Sequence, residues 1–295
     1  MDRRHFLESG LKGAGYGLLF GGFARRAFGR SDARPDIALA KGPAKEATLR
    51  ALDAIGGMQR FVSPGNVVVV KPNASFEAPP EWGATTHPDV VSAVLDACFE
   101  AEARRVYVVD HTLKPAEKCF ARSGIGDAVA AFPKAKLVSL DDRKAYREVK
   151  VPNGKVLEKV DLFINLPTAK AHPATTVSLG LKNLMGLIWD RHHFHDNIDI
   201  HQGVADLATI LKPQLTILDA VRILTTGGPA GPGDVDPFDG VVAGVDPVAV
   251  DAYGVGLSTW NRQTFRPDQI RYIRASVEHG LGTTDLESLR IKELS

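Results

Sequence analysis

The chain is expected to fold as an α/β protein, a doubly wound, mostly parallel sheet with helices on both faces and an inserted β-hairpin. Three features predict this. Apolar, largely β-branched runs at 67–71, 106–110, 162–166, 215–219 and 241–245 are continuous rather than alternating, as in strands buried on both faces. Helix signals separate several of them: residues 88–103 carry an apolar stripe behind a Thr86 or His87 cap, and Val204, Leu207, Ala208 and Leu211 share a helical face. Asp246-Pro247 adds a cap followed by proline in the first helical position. The third feature is Asn153-Gly154 between two short segments, the signature of a tight hairpin turn.

Residues 1–29 read as a twin-arginine signal peptide. Arg3-Arg4-His5-Phe6-Leu7 resembles that consensus, and the Gly-rich run behind it is too interrupted to span a bilayer comfortably. Ala27-Phe28-Gly29 offers small residues for cleavage, whereas Arg25 and Arg26 beside that point leave an uncleaved anchor open. The alternative is a basic amphipathic helix lying on a membrane. The first reading implies the twin-arginine export machinery as a partner and a periplasmic or otherwise exported location, with no stable membrane span after cleavage. Residues 30–45 are polar and read as a linker, and 46–295 as one α/β domain, in one body or two lobes.

Composition narrows the function. With 44% hydrophobic residues in 295, the chain can bury a sizeable core. It holds 36 Lys+Arg and 35 Asp+Glu; five and two of these lie in residues 1–29, so the remainder carries 31 and 33. That balance lacks the clustered positive field a nucleic-acid binder needs to replace phosphate counterions, so no nucleic-acid partner is expected. Two cysteines, Cys98 and Cys119, cannot by themselves ligate a four-cysteine iron–sulfur cluster. An oxidising periplasm would permit a disulfide between them, but Cys98 falls on the apolar stripe of 88–103 and reads rather as a buried free thiol.

In doubly wound sheets ligands collect beyond the carboxyl ends of strands. Polar residues stand at five such ends: Lys71 and Asn73, Asp110, Asn165, Asp219 and Asp246. Each alone could be a cap or turn residue; together they suggest one rim. Lys170 and His172 are expected in the loop after the third run, and Lys182 and Asn183 on a mostly apolar helix after it, where a lysine must snorkel or meet an anion. His192, His193, His195 and His201, with nearby aspartates, have the donor chemistry for a divalent metal, and Arg191 could clamp a carboxylate. The loop from Gly227 and Gly228 to Gly233 could wrap an anion with backbone N–H groups, or serve as a turn or lid.

Several of these segments recur together. Lys71-Pro72-Asn73, Gly83-Ala84-Thr85-Thr86-His87-Pro88, Asn165-Leu166-Pro167 with Lys170 and His172, Leu181-Lys182-Asn183-Leu184-Met185-Gly186, Leu218-Asp219-Ala220 with Gly228-Pro229, and Asp246 through Asp251 resemble, in order, the domain of unknown function 362 family. The resemblance covers about residues 65–283. Some members carry ferredoxin-like cysteine clusters; this chain lacks those cysteines. The leading expectation is an enzyme holding a small anionic metabolite with Lys71, Lys170 and Lys182, possible metal assistance, and His172, Asp110, Asp219 or Asp251 as proton carriers or ligands, in lyase or isomerase-like chemistry. The alternative is a non-catalytic periplasmic metal- or metabolite-binding protein, or a redox-maturation factor.

Overall fold

A computed structural model of the chain describes residues 34–140, 160–188 and 198–295. The twin-arginine segment, the Asn153-Gly154 hairpin, Arg191, His192, His193 and His195 lie outside the described residues. Within them the order is β1 (Ile37–Lys41), α1 (Ala44–Ala54), β2 (Val67–Pro72), α2 (Pro88–Glu100), β3 (Arg105–Asp110), α3 (Ala116–Arg122), α4 (Ile125–Ala130), β4 (Ala135–Ser139), β5 (Leu162–Leu166) and β6 (Thr168–His172). There follow β7 (Thr176–Ser178), α5 (Gly180–Asn183), α6 (Ile200–Ile210), β8 (Leu215–Leu224), β9 (Val235–Asp236), β10 (Gly240–Gly244), α7 (Pro247–Val255), α8 (Arg271–Glu278) and β11 (Ile291–Leu294).

The sheet runs β11-β1-β10-β8-β5-β2-β3-β4. From β8 across to β4 every pairing is parallel, so β8, β5, β2 and β3 present their carboxyl ends at one edge. β6 pairs with the outer half of the long β8, Thr168 beside Asp219, and β7 folds back on β6. The site is built at this edge.

Helices cover both faces because strand residues point alternately to each. Ile217, Val241, Val68 and Val70 pack with Ala47, Ala51 and Leu52 of α1 and Val91, Val94, Leu95 and Cys98 of α2. Leu218 faces the other way, against α7, at a separation where a Cβ on Gly254 would meet it. Each fully buried Val or Leu contributes roughly 1.5–3 kcal/mol relative to an exposed one. The His87 imidazole caps α2, and Asp246 caps α7 by accepting from the Val248 and Ala249 N–H groups.

Two expectations are corrected. The stretch 30–45 is not all linker: β1 and the start of α1 fall inside it, and Ile37, Ala38, Leu39 and Ala40 are buried between β10 and β11. Two small alanines at a strand centre hide its apolar character. The run at 241–245 forms β10, which is antiparallel to both β8 and β1. No helix crosses over between β8 and β10, and a strand returning without a crossover must run the opposite way.

Cys98 and Cys119 are free and buried. Burial pushes the Cys98 thiol up to about 12. Among the described residues, no helix is long and apolar enough to cross a membrane.

Candidate functional site

At the carboxyl edge of β2 stands Lys71, fully buried, a position where a charge persists only with a partner. Its ammonium lies 2.7 Å from Asp110 Oδ1 at the end of β3, and also donates to the Pro72 carbonyl (2.7 Å) and Asn183 Oδ1 (3.1 Å). Asp110 is saturated in turn. The His111 N–H reaches Oδ1 at 2.9 Å, and the Ala74 N–H and Ser75 hydroxyl reach Oδ2 at 2.7 and 3.3 Å. Gly186 lies over this pair, where a Cβ would run into Asp110 and Lys71. The pair is a buried brace between β2, β3 and the turn after α5.

Lys71 also sets the orientation of a chain of amides. An ammonium only donates, so Asn183 must present its Oδ1. The Asn183 Nδ2 then donates to the Lys71 carbonyl (3.1 Å) and to Asn165 Oδ1 (2.9 Å), which leaves Asn165 Nδ2 to donate to the Gly180 carbonyl (2.8 Å). In the other direction Asn73 Nδ2 donates to Asn183 Oδ1 at 3.1 Å, turning Asn73 Oδ1 outward. That oxygen accepts from Lys170 Nζ at 3.0 Å. A charge on β2 thereby fixes an acceptor for a lysine on β6.

Lys170 has a different environment from Lys71. Its amine donates to two neutral oxygens, Asn73 Oδ1 and the Ala84 carbonyl (2.5 Å), and stands 4.6 Å from the Phe76 ring centroid. Burial holds its pKa well below the usual lysine range, and the Lys182 and Lys71 charges push the same way, against a smaller opposing pull from Asp110.

Lys170 opens on a cleft of about 80 Å³ lined also by Asn73, Ser75, His172, Ser178, Lys182 and Pro229, with Phe76, Leu113 and Met185 as apolar wall. His172 lies two residues along β6 from Lys170, on the same face of the strand, and Ser178 is the cross-strand partner of Lys170. The His172 Nδ1 accepts from the Ala174 N–H at 3.2 Å. No acidic side chain occurs among the described residues of the lining.

The structure therefore divides the residues picked from sequence. Lys170, His172, Lys182, Asn73 and Asn183 meet at the cleft; Lys71, Asp110 and Asn165 stand behind it as supports. Lys170 and His172 sit on a strand rather than in a loop, and Lys182 and Asn183 occupy a helix of four residues continued by the 3-10 turn Leu184–Leu187. Asp219 does not line the cleft: it accepts from the His87 N–H (2.6 Å) and Val221 N–H (2.9 Å), and burial raises its pKa despite them. Asp246 does not line the cleft: β10 runs antiparallel to β8 and leads away from the carboxyl edge of β8, and Asp246 caps α7. Asp251 points inward from α7, accepting from the Gly180 and Leu181 N–H groups at 2.7 and 3.0 Å, and burial lifts it to about 7.

His201 begins α6 in a separate pocket of about 120 Å³ with Asp199, Gln202 and Arg271, where burial and Arg271 lower its pKa. Among the described residues, no three His, Cys, Asp or Glu side chains gather as metal ligands. The Gly227–Gly228 backbone packs on β6 so closely that a Cβ on Gly228 would strike the Ala171 carbonyl; the loop contributes Pro229 to the cleft. Ser75, Phe76, Leu113 and Ser178 were not singled out in the sequence, and Met185 and Pro229 stood there only within the family motifs. Only Ser178 had a legible signal, since a hairpin at 168–178 would have paired it with Lys170.

Fold and site together define an α/β protein with a cation-lined cleft at the carboxyl edge of its parallel strands. The chain belongs to the family described as Domain of unknown function (DUF362), which it matches over residues 68–256. It is similar to the Thylakoid-associated protein sll1697 of Synechocystis sp., 26% identical over 220 residues that cover 70% of this chain and 67% of that protein. No solved structure matches. The matched span includes each residue named above as lining or bracing the cleft.

Proposed function

We propose that the protein is an exported enzyme that binds a small anionic metabolite between Lys170 and Lys182 and moves a proton on it through His172 or Lys170. The observation that carries this is the lining: two lysines and a histidine converge on a cleft whose described walls hold no carboxylate. An anion entering there meets charge-assisted donors on one side and an apolar wall on the other, where low polarity strengthens the attraction. At roughly 10–15 Å³ of such space per water, the cleft takes roughly five to eight water-sized atoms, the size of a small carboxylate or a phosphate.

Catalysis, and not binding alone, is supported by the contrast between the two buried lysines. Lys71 is ion-paired with Asp110, whereas Lys170 donates to neutral acceptors, and burial with the Lys182 and Lys71 charges outweighs Asp110 and lowers its pKa, the direction that favours an amine acting as base or nucleophile. Export is supported by Arg3-Arg4-His5-Phe6-Leu7 and by the thylakoid association in the name of the Synechocystis relative.

The test is thermal unfolding of the full chain with acetate, oxalate, malonate and inorganic phosphate. At least one should raise the midpoint in the wild type and lose that effect in Lys182→Ala and His172→Ala. Equal stabilisation of wild type and both variants would show that the anion binds elsewhere.

A further inference from the structure

Lys71 and Lys170 are both buried, yet the sequence spends an aspartate on only one of them. The amide relay gives Lys170 the Asn73 oxygen, and the backbone gives it the Ala84 carbonyl. A neutral amine has two N–H groups, and these two oxygens take both. Its lone pair is then left on the remaining side of the nitrogen, which stands 4.6 Å from the Phe76 ring centroid in a cleft also lined by Ser178, His172 and Lys182. An ammonium in the same place would keep a third N–H there and no lone pair. The two oxygens match the two hydrogens of a neutral amine and leave its electron pair unshared with either of them.

We infer that Lys170 forms a covalent imine with the carbonyl of a small 2-oxo acid, a substrate class that rests on the anion-binding reading above. The carboxylate of such a molecule suits Lys182, and its carbonyl carbon sits one bond from that carboxylate, within reach of a second lysine on the same cleft. The Lys170 nitrogen attacks the carbonyl carbon; the C=O π pair moves to oxygen, which takes a proton while the nitrogen gives one up. The carbinolamine hydroxyl then takes a proton and leaves as water as the nitrogen lone pair closes the C=N bond. One amine, one carbonyl and one proton give a protonated imine and one water, with no oxidant or reductant. His172, on the same face of β6, is the titratable group placed to pass the proton to the leaving hydroxyl.

The experiment incubates the full chain with pyruvate or glyoxylate at neutral pH, reduces with cyanoborohydride and maps the peptides by mass. The expected result is one reduced adduct per chain at Lys170, visible also as a lost tryptic cut after that residue, and suppressed at least tenfold by excess oxalate, which lacks a ketone. Lys170→Arg should abolish it; the wild-type map stands without that variant should arginine prevent folding. No adduct with either probe, or adducts only on exposed lysines with Lys170 unmodified, overturns the inference. If oxalate still stabilises the wild type but not Lys182→Ala while trapping fails, the anion site survives and the imine does not; if oxalate has no effect and trapping fails, both fall.

Discussion

Replacing Asp110 by asparagine removes the counter-charge of Lys71 with almost no change of shape. The carboxylate accepts from Lys71 and His111 on Oδ1, and from Ala74 and Ser75 on Oδ2. An asparagine has one acceptor oxygen, so whichever side it serves, its NH2 faces donors on the other. Stranding one member of a buried pair costs about 3–5 kcal/mol, and the lost hydrogen bonds add about 1 kcal/mol. The expected total of about 4–6 kcal/mol lowers the thermal midpoint of a chain this size by roughly 10–20 °C. Urea unfolding of the full chain, followed by circular dichroism, measures it. Lys71→Met in the same chain should recover part of the loss, with a coupling of at least about 2 kcal/mol in the double-mutant cycle. A loss under about 1 kcal/mol, or no coupling, would refute the view that this pair braces the cleft.

Asp251, lifted by burial from 3.8 to about 7, favours the protonated fold: its contribution is full below about pH 4 and is lost as pH rises through 7, a change of about 4 kcal/mol. Asp251→Asn should flatten that fall in a urea series from pH 4 to 8, and an unchanged slope would contradict the assignment. Gly228→Ala places a methyl on the Ala171 carbonyl and should cost about 1–3 kcal/mol in urea unfolding while weakening oxalate binding, since Pro229 moves with it. Cys98 should resist thiol reagents in the native protein and react once it is unfolded, and reductant should leave the mass unchanged, because both cysteines are free. Arg3→Lys with Arg4→Lys should retain the chain in the cytoplasmic fraction; unchanged export would remove the twin-arginine reading.

Strand cores were legible because full burial demands continuous apolar runs, and β2, β3, β5, β8 and β10 coincide with them. Their direction was less legible. An apolar run says nothing of its partners, so the antiparallel turn of β10, which carries Asp246 away from the site, had no local mark. β1 was hidden by its alanines, and β6 by the polar side chains of Lys170 and His172, which a strand tolerates where it lines a cleft. At the site, sequence indicated which residue types gather but not their division of labour. Lys71, Lys170 and Lys182 look alike along the chain; only the fold pairs one with Asp110 and leaves another facing two neutral oxygens. Asp219 and Asp251 showed the same ambiguity, and the fold sets each to accept from backbone N–H groups.

The reading stands or falls on whether Lys182 holds an anion in the cleft that Lys170 also lines. Calorimetric titration of the full chain with oxalate tests it without any reaction. The expected result is one site per chain, with affinity reduced about 10- to 100-fold in Lys182→Ala, the worth of one charge-assisted hydrogen bond. Binding of equal strength in the variant, or no saturable binding in the wild type, would contradict it.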